Sequence, residues 1–300
     1  MLISVADLSR RWGLSPRTVL HVGAHEAEEM AAYESHGWGS ERTVWIEGQR
    51  ELAERLSQRV AGNAHHRVIH AVAWDAVETV SFYRTNNSQS SSALPLKLHS
   101  AEYPSIVVSE RYSVSTSRLD ELLARDPVLD TGLDFVNLDI QGAELRALKG
   151  LGRTLSDVGA VYSEVNTAEL YEGCATLRQI DAFLQLNDFA LVDIRLTDAR
   201  WGDALWLPKR FLTPPRRLVS RLVVELRILS GWSRSLAKRG TRLARRGIIS
   251  GLRQLLRVLP LRIRHGLLSL LEVSIGKGFV SGPEGEIGRL LSVAPPEHRD

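Results

Sequence analysis

The chain of 300 residues has a single cysteine, Cys174. That excludes an intramolecular disulfide and a zinc site built on several thiolates, and it points to a reducing compartment with Cys174 as a packing residue. The opening stretch MLISVADLSRRWGLSPRT lacks an apolar core of signal-peptide length, so the expected location is cytoplasmic. No uninterrupted apolar run reaches the roughly 18 residues that a membrane-spanning helix needs. Acids are almost missing from one segment: residues 209–265 hold 16 Lys and Arg against Glu225 alone, whereas residues 1–208 hold 19 against 29 Asp and Glu. The net charge of +3 therefore averages an acidic domain and a basic appendage. Also missing are the dinucleotide fingerprint G-x-G-x-x-G, a phosphate loop ending in Gly-Lys-Ser/Thr, and any internal repeat.

What is present over residues 1–208 is a regular alternation of strand and helix signals. TVLHV (18–22) is a short apolar run followed by a Gly turn, GAHEA. TVWIE (43–47) is a second run that ends on Glu47 and enters a helix carrying Leu52, Leu56 and Val60. HRVIHAVAWD supplies a third strand, VSFYRT a hairpin partner with the serine-rich loop NNSQSSSAL behind it, and DFVNLDI a fourth. AVYSEVN is a fifth strand ending at Glu164. LRQIDAFLQLND is a helix, and FALVDIR with DALWLP a closing strand pair. Continuous apolar strands alternating with helices predict an α/β fold, a mostly parallel sheet with helices on both faces.

In such sheets ligands sit beyond the carboxyl ends of the strands. Asp139 and Glu144, between the fourth strand and its helix, lie at that level; each reads either as a site carboxylate or as a helix-start acid. About two dozen residues separate Gly23 from Glu47, the spacing at which a Gly turn and a strand-end acid meet a ribose. One glycine is too few to cradle a pyrophosphate, so the turn suits a ligand without phosphates, such as adenosine joined to an amino acid. Glu47 would then hold the ribose, Gly23 the amino-acid end, and Trp74 with Asp75 the adenine. Glu47 taken alone reads equally as a helix cap.

The blocks HVGAHEAEE, VWIEGQRELAERL, NNSQSSSAL, RLDELL, DFVNLDIQGAELRALKG, YSEVN with LYEGC, and WGDALWL resemble, in order over residues 18–208, those of the FkbM-type methyltransferases. The resemblance implies a Rossmann-like class I methyltransferase fold, a seven-stranded sheet with one antiparallel strand near its edge. It implies S-adenosylmethionine as cofactor, with Gly23 and Ala24 against its methionine part and Glu47 on the ribose hydroxyls. Asp139 would face the methyl group or its acceptor. The chain departs from the family at two positions: His21 stands where many relatives have an acid, and Ala27 where many have a glycine. His25 either takes over part of the first role or caps the helix.

Methyl transfer from a sulfonium chiefly requires alignment of donor and acceptor, and a hydroxyl acceptor benefits from a base. Asp139, Glu144 and Glu164 are the candidate carboxylates. Two of them with His25 or His99 are an alternative cradle for a hard divalent ion, which no compact ligand motif favours. The loop SQSSSAL reads either as a lining for a hydroxyl-rich acceptor or as a flexible polar connection. The resemblance implies oxygen acceptors on sugars, glycans or secondary metabolites. Its rival is a non-catalytic scaffold on a degenerate methyltransferase fold.

Past Pro208, residues 209–275 read as a basic amphipathic helical appendage, with an apolar stripe through Leu252, Leu255, Leu256, Leu259, Ile263, Leu267 and Leu270. Residues 216–271 then suit an anionic membrane surface, or packing as a helical subdomain or dimer face. Nucleic acid is disfavoured, because Trp232 is nearly the only aromatic residue there able to stack on bases. Residues 276–300 read as a loosely ordered tail.

Overall fold

The computed structural model describes residues 1–124 and 132–238. Two compact units divide at Thr213/Pro214. In the first, the strands are β1 (Thr18–Val22), β2 (Arg42–Glu47), β3 (His66–His70), β4 (Val72–Trp74), β5 (Thr79–Thr85), β6 (Val108–Arg118), β7 (Phe135–Leu138), β8 (Val161–Asn166), β9 (Phe189–Leu196) and β10 (Trp201–Pro208). Seven of them form one sheet in the order β3-β2-β1-β7-β8-β10-β9. The pairs from β3 to β8 are parallel, and β10 runs antiparallel to both β8 and β9. This is the expected seven-stranded sheet with one antiparallel strand near the edge.

The apolar runs take the positions their composition favours. Every residue of β1 is buried, and β1 lies inside the sheet between β2 and β7. A strand covered on both faces has no side on which a polar residue could meet water, hence the unbroken TVLHV and FVNL. One core cluster includes Val19, Trp45, Phe135, Tyr162 and Leu205 with Tyr33 and Trp38 from beyond the sheet. Its aromatic rings interlock, Trp38 packing edge-on to Phe135 at 4.9 Å and stacking on Tyr33 at 5.6 Å. The N-terminal segment joins this core through a helix, Val5–Trp12, that Ser4 caps by accepting from the Asp7 amide and Gly13 ends in a left-handed turn.

Two features differ from expectation. HRVIHAVAWD is not one strand: it breaks at Ala71, whose amide donates to the Glu47 carbonyl at 3.0 Å, and β4 leaves the main sheet. There it joins a second, three-stranded sheet, β4-β6-β5, in which β6 pairs antiparallel with β5. Strand β6 has no counterpart in the sequence reading, because SERYSVSTSR is largely exposed and offers no apolar alternation.

The second unit is described as far as residue 238, as one helix, Pro214–Lys238. The Leu252 to Leu270 stripe and the 276–300 tail lie outside the described residues. Among the described residues, no helix is long and apolar enough to cross a membrane.

Candidate functional site

The carboxyl ends of β1, β2, β7 and β8 open into a cavity of about 560 Å³. Its first wall is the turn after β1. Gly23 and Ala24 both donate their amides to the Ile46 carbonyl, at 2.8 and 3.0 Å, and the Asp139 amide donates to Val22 at 2.9 Å. Gly23 has φ +85°, and a Cβ there would lie 1.8 Å from the Asp139 carbonyl oxygen. Only glycine lets the ends of β1 and β7 meet this closely. Gly23→Ala is therefore expected to cost about 3 kcal/mol or more of folding stability, combining left-handed strain with overpacking against backbone. Urea unfolding checks this; a loss below about 1 kcal/mol would contradict the close approach. Gly23 lines the cavity, whereas Ala24 is buried and is not among the lining residues.

Glu47, at the end of β2, lines the cavity and is almost fully buried. Its two oxygens accept the amides of His25 and Gln49, each at 2.7 Å, which fixes the carboxylate between the two turns. Burial pushes its pKa up, and those amides pull against the rise. The His25 ring has Nδ1 2.7 Å from Glu28 Oε1 and Nε2 2.8 Å from Ser88 Oγ. It therefore ties the first turn to the serine loop and does not cap the helix, which begins only at Met30. Both His25 and Ala27 have positive φ, +46° and +52°. The second value is a backbone conformation that glycine adopts more readily than alanine, so Ala27 is held under strain. His21 is buried on the cavity floor against Trp45, its Nδ1 3.2 Å from the Tyr33 hydroxyl, and burial lowers its pKa. Carboxylates reach this end from Glu28 and Glu29 instead.

Trp74 and Asp75, expected at the adenine, do not line the cavity. The Trp74 indole donates to Glu78 at 2.6 Å, the Arg146 guanidinium lies 4.7 Å over its ring, and Arg146 pairs with Asp75 at 3.1 Å. The break at Ala71 is the cause: β4 packs against the helix Glu144–Gly150, leaving Ala71, Val72, Ala73 and Phe82 as an apolar wall near Glu47.

The turn after β7 holds Asp139, which is exposed to the cavity. Glu144 does not join it. Its side chain is fully buried and folds back to accept the amides of Ile140 and Gly142, at 3.1 and 3.0 Å. Burial pushes this carboxyl up to about 7. Glu144 closes the turn, and the expectation that it faces substrate is corrected.

Gln141, which the sequence reading passed over, is the hub of the site. Its amide nitrogen donates to Asp139 at 2.7 Å and to Glu164 at 2.8 Å, and its side-chain oxygen accepts from the Tyr171 hydroxyl at 2.6 Å. Its φ is +55°, strain of the kind held at functional turns, and the Gln-Gly dipeptide was the available signal. The serine loop closes this wall: Ser90, Ser91 and Ser92 are buried, and the Ser92 hydroxyl donates to the Gln141 carbonyl at 2.8 Å.

Glu164 on β8 stands opposite Asp203 on β10 in the antiparallel register. Asp203, also absent from the sequence reading, accepts from the Tyr162 hydroxyl, and burial pushes it up to about 6. Burial, and then the charges of Asp139 and Glu144, raise Glu164 well above the ordinary glutamate value of 4.5. The folded state thus holds this proton more tightly than the unfolded chain does. The resulting stability is complete below about pH 4.5 and is lost as pH rises through the folded-state pKa. Relative to Glu164→Gln, the wild-type Tm is expected to fall between pH 5 and 8. Calorimetric curves that stay parallel across that range would contradict the assignment. Among the described residues, no group of three or more His, Cys, Asp or Glu is arranged to hold a metal ion.

The sequence matches the methyltransferase FkbM domain over residues 21–191. It is 34% identical over 84 residues to the 2-O-methyltransferase NoeI of Sinorhizobium fredii, covering 28% of this chain and 34% of that protein. The chain thus spans about a third of the length of this curated relative. Similar solved structures include M. capricolum TrmK in complex with S-adenosyl-homocysteine, with 8% identity, TM-score 0.39, and coverage of 91% of this chain and 99% of that one. Another is Aeropyrum pernix fibrillarin with bound S-adenosyl-L-methionine, with 12% identity, TM-score 0.38, and coverage of 68% and 74%. With the domain match covering more than half of its length, the chain belongs to the FkbM methyltransferase family.

Proposed function

We propose that the protein is an S-adenosylmethionine-dependent O-methyltransferase acting on a hydroxyl of a sugar, glycan or secondary metabolite. The observation that carries this reading is the pairing of Glu47 with the Gly23 turn at one end of a cavity whose other end is acidic. The donor set fits the cofactor. Glu47 is a buried carboxylate positioned for a diol, Ala71, Ala73 and Phe82 offer an apolar slot for a base, and Asp139 with Glu28 and Glu29 suits a ligand bearing ammonium and sulfonium charges. When bound, S-adenosylmethionine supplies a methyl group on an activated sulfur leaving group. The chain's own residues then have to bind, orient and manage one proton. Asp139, fixed by Gln141, orients the acceptor hydroxyl and takes its proton. Glu164, whose carboxyl is pushed towards its protonated form by burial and by the charges of Asp139 and Glu144, can in that form donate a hydrogen bond to a neighbouring acceptor oxygen. The test is formation of S-adenosylhomocysteine from tritiated S-adenosylmethionine with label entering a glycan and small-molecule extract. Absence of label transfer would count against the enzymatic reading and for a scaffold.

The charge pattern supports a second element of the proposal, attachment to an anionic membrane surface through residues 216–271. The full chain is expected to sediment with phosphatidylserine vesicles at low salt and to be released at high salt. No salt-sensitive binding would contradict it.

A further inference from the structure

One end of the cavity carries groups that the chemistry above leaves without a role. His99 lines the cavity and is 5% exposed, yet its Nδ1 is enclosed with no hydrogen-bond partner. An imidazole nitrogen left unpaired in the interior costs about 1–3 kcal/mol, and because Nδ1 itself is closed off, it is the rest of the ring that a bound group can meet. The ring is flanked by Tyr103 at 5.0 Å and Tyr171 at 5.2 Å, both tilted by 42°. Burial lowers the His99 pKa, favouring the neutral ring, which has one donor and one acceptor nitrogen. The Tyr103 hydroxyl accepts from the Trp201 indole at 2.8 Å and keeps its own proton to donate.

This aromatic end lies on the acceptor side. Tyr171 bonds Gln141, and Gln141 bonds Asp139 and Glu164, so His99 is linked to the carboxylates through one ring and one amide. Glu47 stands three strands away from Glu164 across the sheet, about 14 Å at the usual strand spacing. Aromatic faces beside unpaired hydrogen-bonding groups suit a ring with an apolar face and a hydroxylated edge. The charge of the ring is constrained as well. Among the described residues lining the cavity none is Lys or Arg, the Met1 ammonium is already paired with Glu29 at 2.9 Å, and Asp139, Glu164 and Asp203 are acids.

We propose that His99 and Tyr103 bind the acceptor, gripping one hydroxyl of a neutral pyranoside whose apolar face lies against the surrounding aromatic rings. This rests on the methyltransferase reading and specifies its acceptor class. His99 and Tyr103 hold the ring; the proton of the reacting hydroxyl remains the task of Asp139.

The test uses the full chain saturated with S-adenosylhomocysteine, with histidine side-chain nitrogens followed by NMR and the His99 signals assigned by their loss in His99→Gln. The methyl pyranosides of glucose, galactose, mannose and xylose serve as neutral probes, with glucose 6-phosphate as the charged control. At least one neutral probe is expected to shift the His99 signals saturably. Tyr103→Phe and His99→Gln should each weaken that probe about tenfold, while their affinity for S-adenosylhomocysteine stays within twofold. The inference is overturned if no neutral probe moves His99, if His99→Gln binds the probe as tightly as wild type, or if glucose 6-phosphate binds more tightly than the neutral sugars. Failure of wild type to bind S-adenosylhomocysteine, read by calorimetry before any sugar is added, would overturn the methyltransferase reading itself and this inference with it.

Discussion

Glu47→Ala is expected to weaken S-adenosylhomocysteine binding by about a hundredfold or more. Hydrogen bonds to a charged acceptor contribute about 1.5–3 kcal/mol each, and a ribose presents two hydroxyls to this carboxylate. Even one such bond fully lost with partial loss of the other reaches about 2.7 kcal/mol, which is a hundredfold. The substitution has a second effect, because the His25 and Gln49 amides each lose their acceptor and the turns on either side loosen. Glu47→Gln separates the two contributions. It keeps an oxygen for one amide but no charge, and it should lie between wild type and Glu47→Ala. Titration calorimetry with melting curves as a control decides the matter. Unchanged affinity in a folded Glu47→Ala protein would remove the ribose assignment.

Asp139→Asn should leave that affinity within a few fold while lowering the rate of methyl transfer by about a thousandfold. A positioned acid or base contributes roughly 10²–10⁴ in rate, and asparagine keeps the shape of the side chain while abolishing its capacity to take a proton. The amide oxygen can still accept from Gln141, so the turn and its left-handed residues survive. Cofactor affinity is spared because S-adenosylhomocysteine carries no sulfonium charge for Asp139 to meet, asparagine keeps the contact with Gln141, and the ribose acid Glu47 lies two strands away on β2. A rate loss matched by an equal loss of affinity would make Asp139 a cofactor-binding group instead.

The contrast between these two carboxylates and Glu144 marks how far the sequence is legible. TVLHV, TVWIE and FVNL announce buried parallel strands through unbroken apolar composition, and the strand-end positions of Gly23, Glu47 and Asp139 follow from it. Direction beyond a strand end does not follow. Glu144 and Asp139 are five residues apart in one motif, yet the left-handed pair Gln141 and Gly142 turns one inward and leaves the other in the cavity. A backbone sign at two residues decides this, and composition carries it only weakly. Trp74 is a similar case: the pairing with β2 ends at the bond from Ala71 to Glu47, and beyond it the chain carries the tryptophan to a different sheet. The partnership of Glu164 with Asp203 depends on the antiparallel register of strands some forty residues apart, which no local pattern encodes. Strand β6 is hidden for the opposite reason, since an exposed strand has little apolar residue to declare it.

Binding of S-adenosylhomocysteine to the full chain, measured by isothermal titration, tests the central claim most directly. A single saturable site is expected, sensitive to Glu47→Ala and insensitive to His99→Gln. Absence of binding at millimolar ligand in a protein with a cooperative melting transition would contradict the account.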